Sequence, residues 1–334
     1  MSARNKATAA NGTATAVAEL PDKHKAGQLS GWHLDVGRYT FIRTLGVGTY
    51  GEVYMARDNR RSNISGQDFT VAIKCFPPFT VTPRTSRLNM EVGLQLRLPP
   101  HPNVVHIHRV LYVNNVIFIV MEHIDGTDMY HRIINHRSFT RMRWPEHNLT
   151  VRNVFTQLVD AVAHCHRHGV YHRDLKPENI ILIENDIDRS QEEGVFTAKI
   201  VDFGLATDKA WADEIGCGSK FYISPDGNGG LGWRASGASL GFLGRVTNYA
   251  TGPNDVWALG VILVNLASGR NPWNQAIPTD PLFAMHLKNP DFLSGMLPIT
   301  RTFAAILRAI FTIDPVERVS LRRLRTMVMD CEEF

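Results

Sequence analysis

Tyr171-His172-Arg173-Asp174-Leu175-Lys176-Pro177-Glu178-Asn179, followed after an apolar run by Asp202-Phe203-Gly204, decides how this 334-residue chain reads. Asp174, Lys176 and Asn179 fall in one short stretch and Asp202 in another, on either side of a hairpin-like run. Transfer of a phosphoryl group asks little covalent help of a protein. It needs Mg²⁺ to neutralise the phosphates and a carboxylate to orient the incoming hydroxyl and accept its proton. Asp174 suits the base, Asn179 and Asp202 suit the metal, and Lys176 can sit near the transferring phosphate.

Upstream, Gly46-Val47-Gly48-Thr49-Tyr50-Gly51-Glu52-Val53 spells GxGxxGxV between two expected strands, so its backbone can approach a triphosphate without Cβ obstruction. A dinucleotide site would instead need a helix directly after the glycines. Val71-Ala72-Ile73-Lys74 then places a lysine within an apolar strand. The next helix candidate, Pro83 to Leu98, offers Glu91 as the ion-pair partner that would hold Lys74 on the α- and β-phosphates.

From Tyr39 onward, runs of β-branched and aromatic residues (YTFIRTLG, EVYMARD, FTVAIKCF, VVHIHRVLYV, VIFIVME) alternate with turn residues and predict a small, mostly antiparallel sheet. After Gly126 the period changes. Val151, Val154, Phe155, Leu158, Val159 and Val162 recur at three- and four-residue steps, as do Phe303, Ile306, Leu307, Ile310 and Phe311. The apolar run Asp255 to Ala267 is too short and interrupted to span a membrane, and predicts a central buried helix. Residues 1–30 lack periodicity and are expected to be a disordered tail. Gly227 to Gly252 is so rich in glycine that it is expected to be a flexible insertion.

Composition excludes several classes. The 36 basic and 32 acidic residues leave +4, with no Lys/Arg run of the kind that grips nucleic acid. No signal-peptide core or membrane-length apolar stretch is present. The four cysteines are scattered, which suits free thiols in a reducing compartment and a cytoplasmic or nuclear protein. His164, Cys165, His166, His168 and His172 cluster without a second ligand pair at zinc spacing, so they read as structural.

With the glycine loop, VAIK, HRDxxxxN and DFG in this order, the chain resembles the eukaryotic protein kinase superfamily from about Tyr39 to Val328. CHRHGVYHRDLKPENIIL, GCGSKFYISP and NDVWALGVILVNLASGRNPW resemble the fungal serine/threonine kinases grouped with the Ran/Pat meiosis-inhibitor and nutrient-response kinases. The resemblance implies an α+β, bilobal fold over 39–330. A small antiparallel N-lobe with one helix would cover 39–122, and a larger, mainly helical C-lobe 126–330. It implies ATP and Mg²⁺ as cofactors and serine- or threonine-bearing proteins as partners. It also makes Met121 a gatekeeper, Glu122 and Ile124 the hinge contacts to adenine, Asp128 the ribose contact, and Val53 with Ala72 the walls around adenine. Lys176 with Ser219 would mark the serine/threonine class, Asp255 would anchor the catalytic loop, and Arg318 would pair with the acid ending the activation segment.

Three positions depart from that pattern. Ile215, which cannot be phosphorylated, occupies the usual activating position, so Asp213 or Glu214 is expected to partner Arg173 and leave the enzyme constitutively active, with Thr207 a less well-placed phosphosite. Ser224-Pro225-Asp226 replaces Ala-Pro-Glu, one methylene short of Arg318. Because the glycine-rich insertion adjoins it, either a loosened substrate-binding segment or a translated intron would account for both. Gln95 stands where an apolar residue is usual and would weaken helix docking. The complete motif set favours a catalyst over a nucleotide-binding pseudokinase scaffold.

Overall fold

The computed structural model describes residues 29–48, 51–76, 92–113, 116–134, 144–185, 196–229 and 248–334. They fall into two compact units, one within Met1–Phe79 and Arg109–His123, the other within Thr80–His108 and Ile124–Phe334.

In the first unit the alternating runs form a sheet of six strands, β1 (His33–Leu34), β2 (Tyr39–Val47), β3 (Glu52–Asp58), β4 (Thr70–Phe76), β5 (Ile107–Val113) and β6 (Val116–Glu122), in the order β1-β2-β3-β4-β6-β5. The pairs β1–β2, β2–β3, β3–β4 and β4–β6 are antiparallel. One face buries Phe41, Tyr54, Ile73, Phe118 and Val120. Period-two alternation requires such a face, since successive side chains leave a strand on opposite sides.

The sheet starts earlier than the expected boundary at Tyr39, and Leu29 and Ser30, the last two residues of the expected tail, are among the described residues. Leu29 is buried in the core, and the Trp32 ring lies 5.7 Å from Phe41 and 6.1 Å from Phe118. A two-residue strand is too short to show a period, which hid this segment. Helix α1 (Asn59–Ser65), between β3 and β4, was equally invisible in its polar sequence NRRSNIS. Its start is set by buried Asp58, whose carboxylate accepts the Arg61 N–H at 3.2 Å and pairs with Arg38 at 3.0 Å; its end is set by Gly66 at φ 71°.

The second unit is mainly helical, with α2 (Met129–Ile134), α3 (Trp144–Arg167), α4 (Thr251–Ser268), α5 (Pro281–Lys288), α6 (Phe292–Met296), α7 (Arg301–Ile310) and α8 (Leu321–Met329). The apolar stripes expected on α3 and α7 are buried, and α4 is buried along nearly its whole length. Trp257 on α4 packs with Trp273, Phe283 and Phe311 at centroid distances of 5.0–6.1 Å. A three-stranded sheet, β7 (Thr127–Asp128), β8 (Ile180–Glu184) and β9 (Phe196–Ile200), is antiparallel throughout. β10 (Trp211–Ala212) pairs with β11 (Tyr249–Ala250). None of the described helices is long and apolar enough to cross a membrane.

Both edges of the glycine-rich stretch 227–252 are among the described residues. Gly227–Gly229 continue a turn, Tyr249 is buried in β11, and Thr251 and Gly252 open α4. Glycine density masked the buried aromatic at Tyr249. Residues 230–247 lie outside the described residues. At the other end, packing continues past residue 330: Phe334 is buried against Phe303 and donates its N–H to Asn148 Oδ1 at 3.0 Å.

Candidate active site

The residues of the first unit that are expected to meet the nucleotide lie on the β2–β3 hairpin, on β4 and at the end of β6. Gly46 faces Val53 and Val47 faces Glu52 across the hairpin, and the Gly48 N–H donates to the Gly51 carbonyl at 2.8 Å. Thr49 and Tyr50 lie outside the described residues. Gly51 cannot carry a side chain, because a Cβ there would stand 2.2 Å from the Cys75 carbonyl oxygen of β4. Lys74 is opposite Val53 on β3 and Ile119 on β6 and is largely buried, with its ammonium 5.1 Å from the Phe76 ring centroid. Ala72 is buried and faces Met121, while Val71 faces Glu122. Glu91, the expected partner of Lys74, lies outside the described residues. Of the expected helix Pro83 to Leu98, residues 92–96 are described and helical. Gln95, expected to weaken docking, is buried and satisfied, donating to the Val105 carbonyl at 3.0 Å.

In the second unit, Asp128 ends β7, accepts the His131 N–H at 2.9 Å and contacts the His131 ring nitrogen Nδ1 at 2.6 Å. Ile124, just before β7, is half-buried. The loop after α3 brings the chemistry-bearing residues together. Asp174 Oδ1 accepts both the N–H and the hydroxyl of Ser219 at 2.9 Å, and Lys176 Nζ donates to Asp174 Oδ2 at 2.8 Å and to Ser219 Oγ at 2.9 Å. Asn179 Nδ2 donates to the Asp174 carbonyl at 2.9 Å, leaving Oδ1 as the amide atom able to meet a cation. The Val201 N–H donates to the Asn179 carbonyl at 2.9 Å, so β8–β9 pairing sets Asn179 beside the strand end that carries Asp202. Asp202 has φ 61° and accepts the Gly204 N–H at 3.3 Å. An amide oxygen and a carboxylate are hard donors that fit Mg²⁺, a cation bound through few protein ligands.

Asp255 holds this loop from below. Fully buried at the start of α4, it accepts the backbone N–H of His172 at 2.9 Å, that of Arg173 at 2.8 Å and the His166 ring at 2.9 Å. Arg173, at φ 65°, donates Nη1 to Glu214 at 2.6 Å and Nε to the Leu205 carbonyl at 2.6 Å. Burial opposes the arginine charge, but Cys217 and the Glu214 hydrogen bond outweigh it and keep its pKa raised. Thr207 is buried, and its backbone pairs with that of Tyr171.

The remaining histidines hold the backbone: His164 contacts the Pro99 carbonyl at 2.9 Å, His168 the His164 carbonyl at 2.8 Å and His172 the Val201 carbonyl at 3.3 Å. Burial pushes the Cys165 thiol up to about 12 and raises that of Cys75 as well, which makes both poor nucleophiles. Arg318 meets Asp226 as expected, at 3.3 Å. Sequence reading missed Asn254 and Asn265, whose side chains reach the segment before Asp226. One amide just before the apolar run of α4 and one inside it were the available signal, since buried amides require partners.

The chain matches the protein kinase domain family over residues 39–328. It is 34% identical over 302 residues to the "negative regulator of sexual conjugation and meiosis" of Schizosaccharomyces pombe, covering 88% of this chain and 60% of that protein. It is 36% identical over 247 residues to "serine/threonine-protein kinase VHS1" of Saccharomyces cerevisiae, covering 73% and 50%. With "serine/threonine-protein kinase ksp1" of S. pombe the identity is 32% over 294 residues, covering 87% and 56%. The chain thus spans about half the length of the curated relatives it matches.

Proposed function

We propose that this chain, which belongs to the protein kinase domain family, transfers the γ-phosphate of ATP to serine and threonine hydroxyls of other proteins. The observation that carries the reading is the cluster of Asp174, Lys176 and Ser219, joined by four hydrogen bonds of 2.8–2.9 Å. An acceptor hydroxyl arriving at Asp174 would take the place of Ser219 on one carboxylate oxygen and give up its proton there. Lys176 would then stand beside the γ-phosphate and offset the charge that spreads over its oxygens.

Asn179 and Asp202 are the residues that would hold Mg²⁺, which, when bound, neutralises the phosphate oxygens. Lys74 would meet the α- and β-phosphates from β4, with Glu91 as its partner. Gly46 to Gly51 would cover the phosphates, Val53 and Ala72 would flank adenine near Met121, Glu122 and Ile124, and Asp128 would take the ribose. These assignments rest on matching motif positions and on the burial of Lys74 and Ala72.

We further infer that activity needs no activation-loop phosphate. The Glu214 carboxylate already satisfies Arg173, the role a phosphate would fill, and this supports a constitutively ordered loop. Incubating the purified chain with ATP, Mg²⁺ and a serine/threonine/tyrosine peptide array, and mapping products by mass spectrometry, tests the reading. Phosphoserine and phosphothreonine are expected. A nucleotide-binding scaffold would show ATP-dependent thermal stabilisation and unmodified peptides.

A further inference from the structure

Helix α4 carries Asn254 and Asn265 toward the two ends of its apolar run, and both are buried. A buried amide is costly without hydrogen bonds, so its partners reveal its purpose. Asn254 Oδ1 accepts the Ser224 N–H at 3.0 Å and the Ser224 hydroxyl at 2.9 Å. Asn265 Oδ1 accepts the Tyr222 phenol at 3.2 Å, and its Nδ2 donates to the Arg270 carbonyl and to Asn271 Oδ1 at 2.8 Å. The Tyr222 N–H closes a turn onto the Ser219 carbonyl at 2.9 Å, and Ser219 in turn contacts Asp174. One helix therefore grips the 219–226 segment at two points, while Asp255, adjacent to Asn254, grips the loop of Asp174.

The tie at the end of the segment is thin. Asp226 reaches Arg318 with one oxygen at 3.3 Å, and its second oxygen is buried without a partner. Arg318 is already committed to the carbonyls of Thr312, Pro253 and Ile313 and lies 4.9 Å over the Trp257 ring. A clasp on the far side secures the same place. The Gly227 N–H donates to Ser224 Oγ at 3.2 Å, and Asn228, held by Gln275 at 2.8 Å, donates to the carbonyls of Ile223 and Ser224. Gly227 sits close enough that a Cβ would come within 2.8 Å of Ile223 Cγ2 and 3.0 Å of Asn254 Oδ1.

An acceptor hydroxyl that reaches Asp174 arrives beside Ser219, so the following residues, with Phe221 exposed, border the acceptor chain. We propose that Asn254 and Asn265 are positioning residues that hold this acceptor-bordering segment in register with the catalytic loop, taking over the anchoring that the short Asp226 side chain leaves incomplete. The proposal deepens the kinase reading and rests on it for its link to acceptor binding, whereas the anchoring itself is independent of activity.

Two readouts on the full chain test it: amide hydrogen exchange of 219–227 against 172–179, and the KM for an acceptor peptide against that for ATP. Asn254→Ala is expected to speed exchange of 219–227 and to raise the peptide KM about tenfold, leaving 172–179 and the ATP KM near wild type. Adding Asp226→Glu, which lets the acid reach further toward Arg318, is expected to recover a large part of both changes. Should Asn254→Ala fail to fold, Tyr222→Phe, which removes only the phenol oxygen, is expected to show the same pattern at smaller size. Unchanged exchange of 219–227, or a rise in exchange and KM shared equally by the catalytic loop and ATP, would overturn the proposal. If wild type transfers no phosphate, the kinase reading fails, and the exchange comparison still decides whether the asparagines anchor the segment.

Discussion

The guanidinium of Arg173 donates to the carboxylate of Glu214 at 2.6 Å, joining the loop after α3 to the segment that follows Asp202-Phe203-Gly204. The arginine side chain is 6% exposed and the glutamate 38%, so the pair is screened from one side. Removing Glu214 would leave a nearly buried charge without its carboxylate. Glu214→Ala is expected to lower kcat roughly tenfold, less than loss of a fully buried pair would, because of that screening. Phosphatase treatment of wild type should leave the rate unaltered; a large loss on treatment would assign the activating charge to a phosphate instead.

Asp226→Glu should stabilise the protein. The added methylene carries a second oxygen toward Arg318 and removes a buried orphan acceptor, an effect on the order of 1 kcal/mol. Thermal melts would show this as a rise of about 2 °C for a chain of this size. A fall in Tm would mean that the pocket around Asp226 cannot admit the longer side chain.

Gly51→Ala should damage the glycine hairpin. Its Cβ would stand 2.2 Å from the backbone oxygen of Cys75, so β3 and β4 must part near Lys74. The expected outcome is a lower Tm and a KM for ATP raised by about tenfold or more, with little change in the peptide KM. Wild-type ATP affinity in this variant would remove the close β3–β4 approach from the account.

Acid should weaken the fold through buried histidines. Burial is the largest cause lowering the pKa of His147, His164 and His286 from 6.5. The unfolded chain then binds more protons than the native one once pH falls below 6.5, so the stability these residues contribute is full above 6.5 and drains as pH drops toward their native values. His286 is the clearest case, because its Nδ1 is buried without a partner among Trp273, Phe283 and Phe311. Melting temperatures measured from about pH 7 down to about pH 5.5 should decline, and His286→Gln should flatten that slope. An equal slope in the variant would move the effect to other groups.

What the sequence made legible followed from period and motif. Strands such as Thr70–Phe76 and the stripes of α3 and α7 are long enough for alternation to register, and Asp174, Lys176 and Asn179 lie in one continuous stretch. What it hid was short or nonlocal. Residues 29–34 and Asn59–Ser65 offer too few positions to establish a period, and Tyr249 was concealed by the glycines around it. Asn254 and Asn265 act on Ser224 and Tyr222, 30 and 43 residues away in the chain, a relation visible only once α4 lies under that segment. Gln95 misled because residue type suggested a poor fit, while the Val105 carbonyl supplies its partner.

Whether Asp174 carries phosphoryl transfer is tested by following labelled γ-phosphate from ATP and Mg²⁺ to serine/threonine peptides with wild type and with Asp174→Asn, with ATP-dependent thermal shifts run in parallel. Transfer by wild type is expected, with a rate lower by at least about a hundredfold in Asp174→Asn and similar thermal shifts in both. Equal transfer by the two proteins, or a thermal shift in wild type without any transfer, would contradict that expectation.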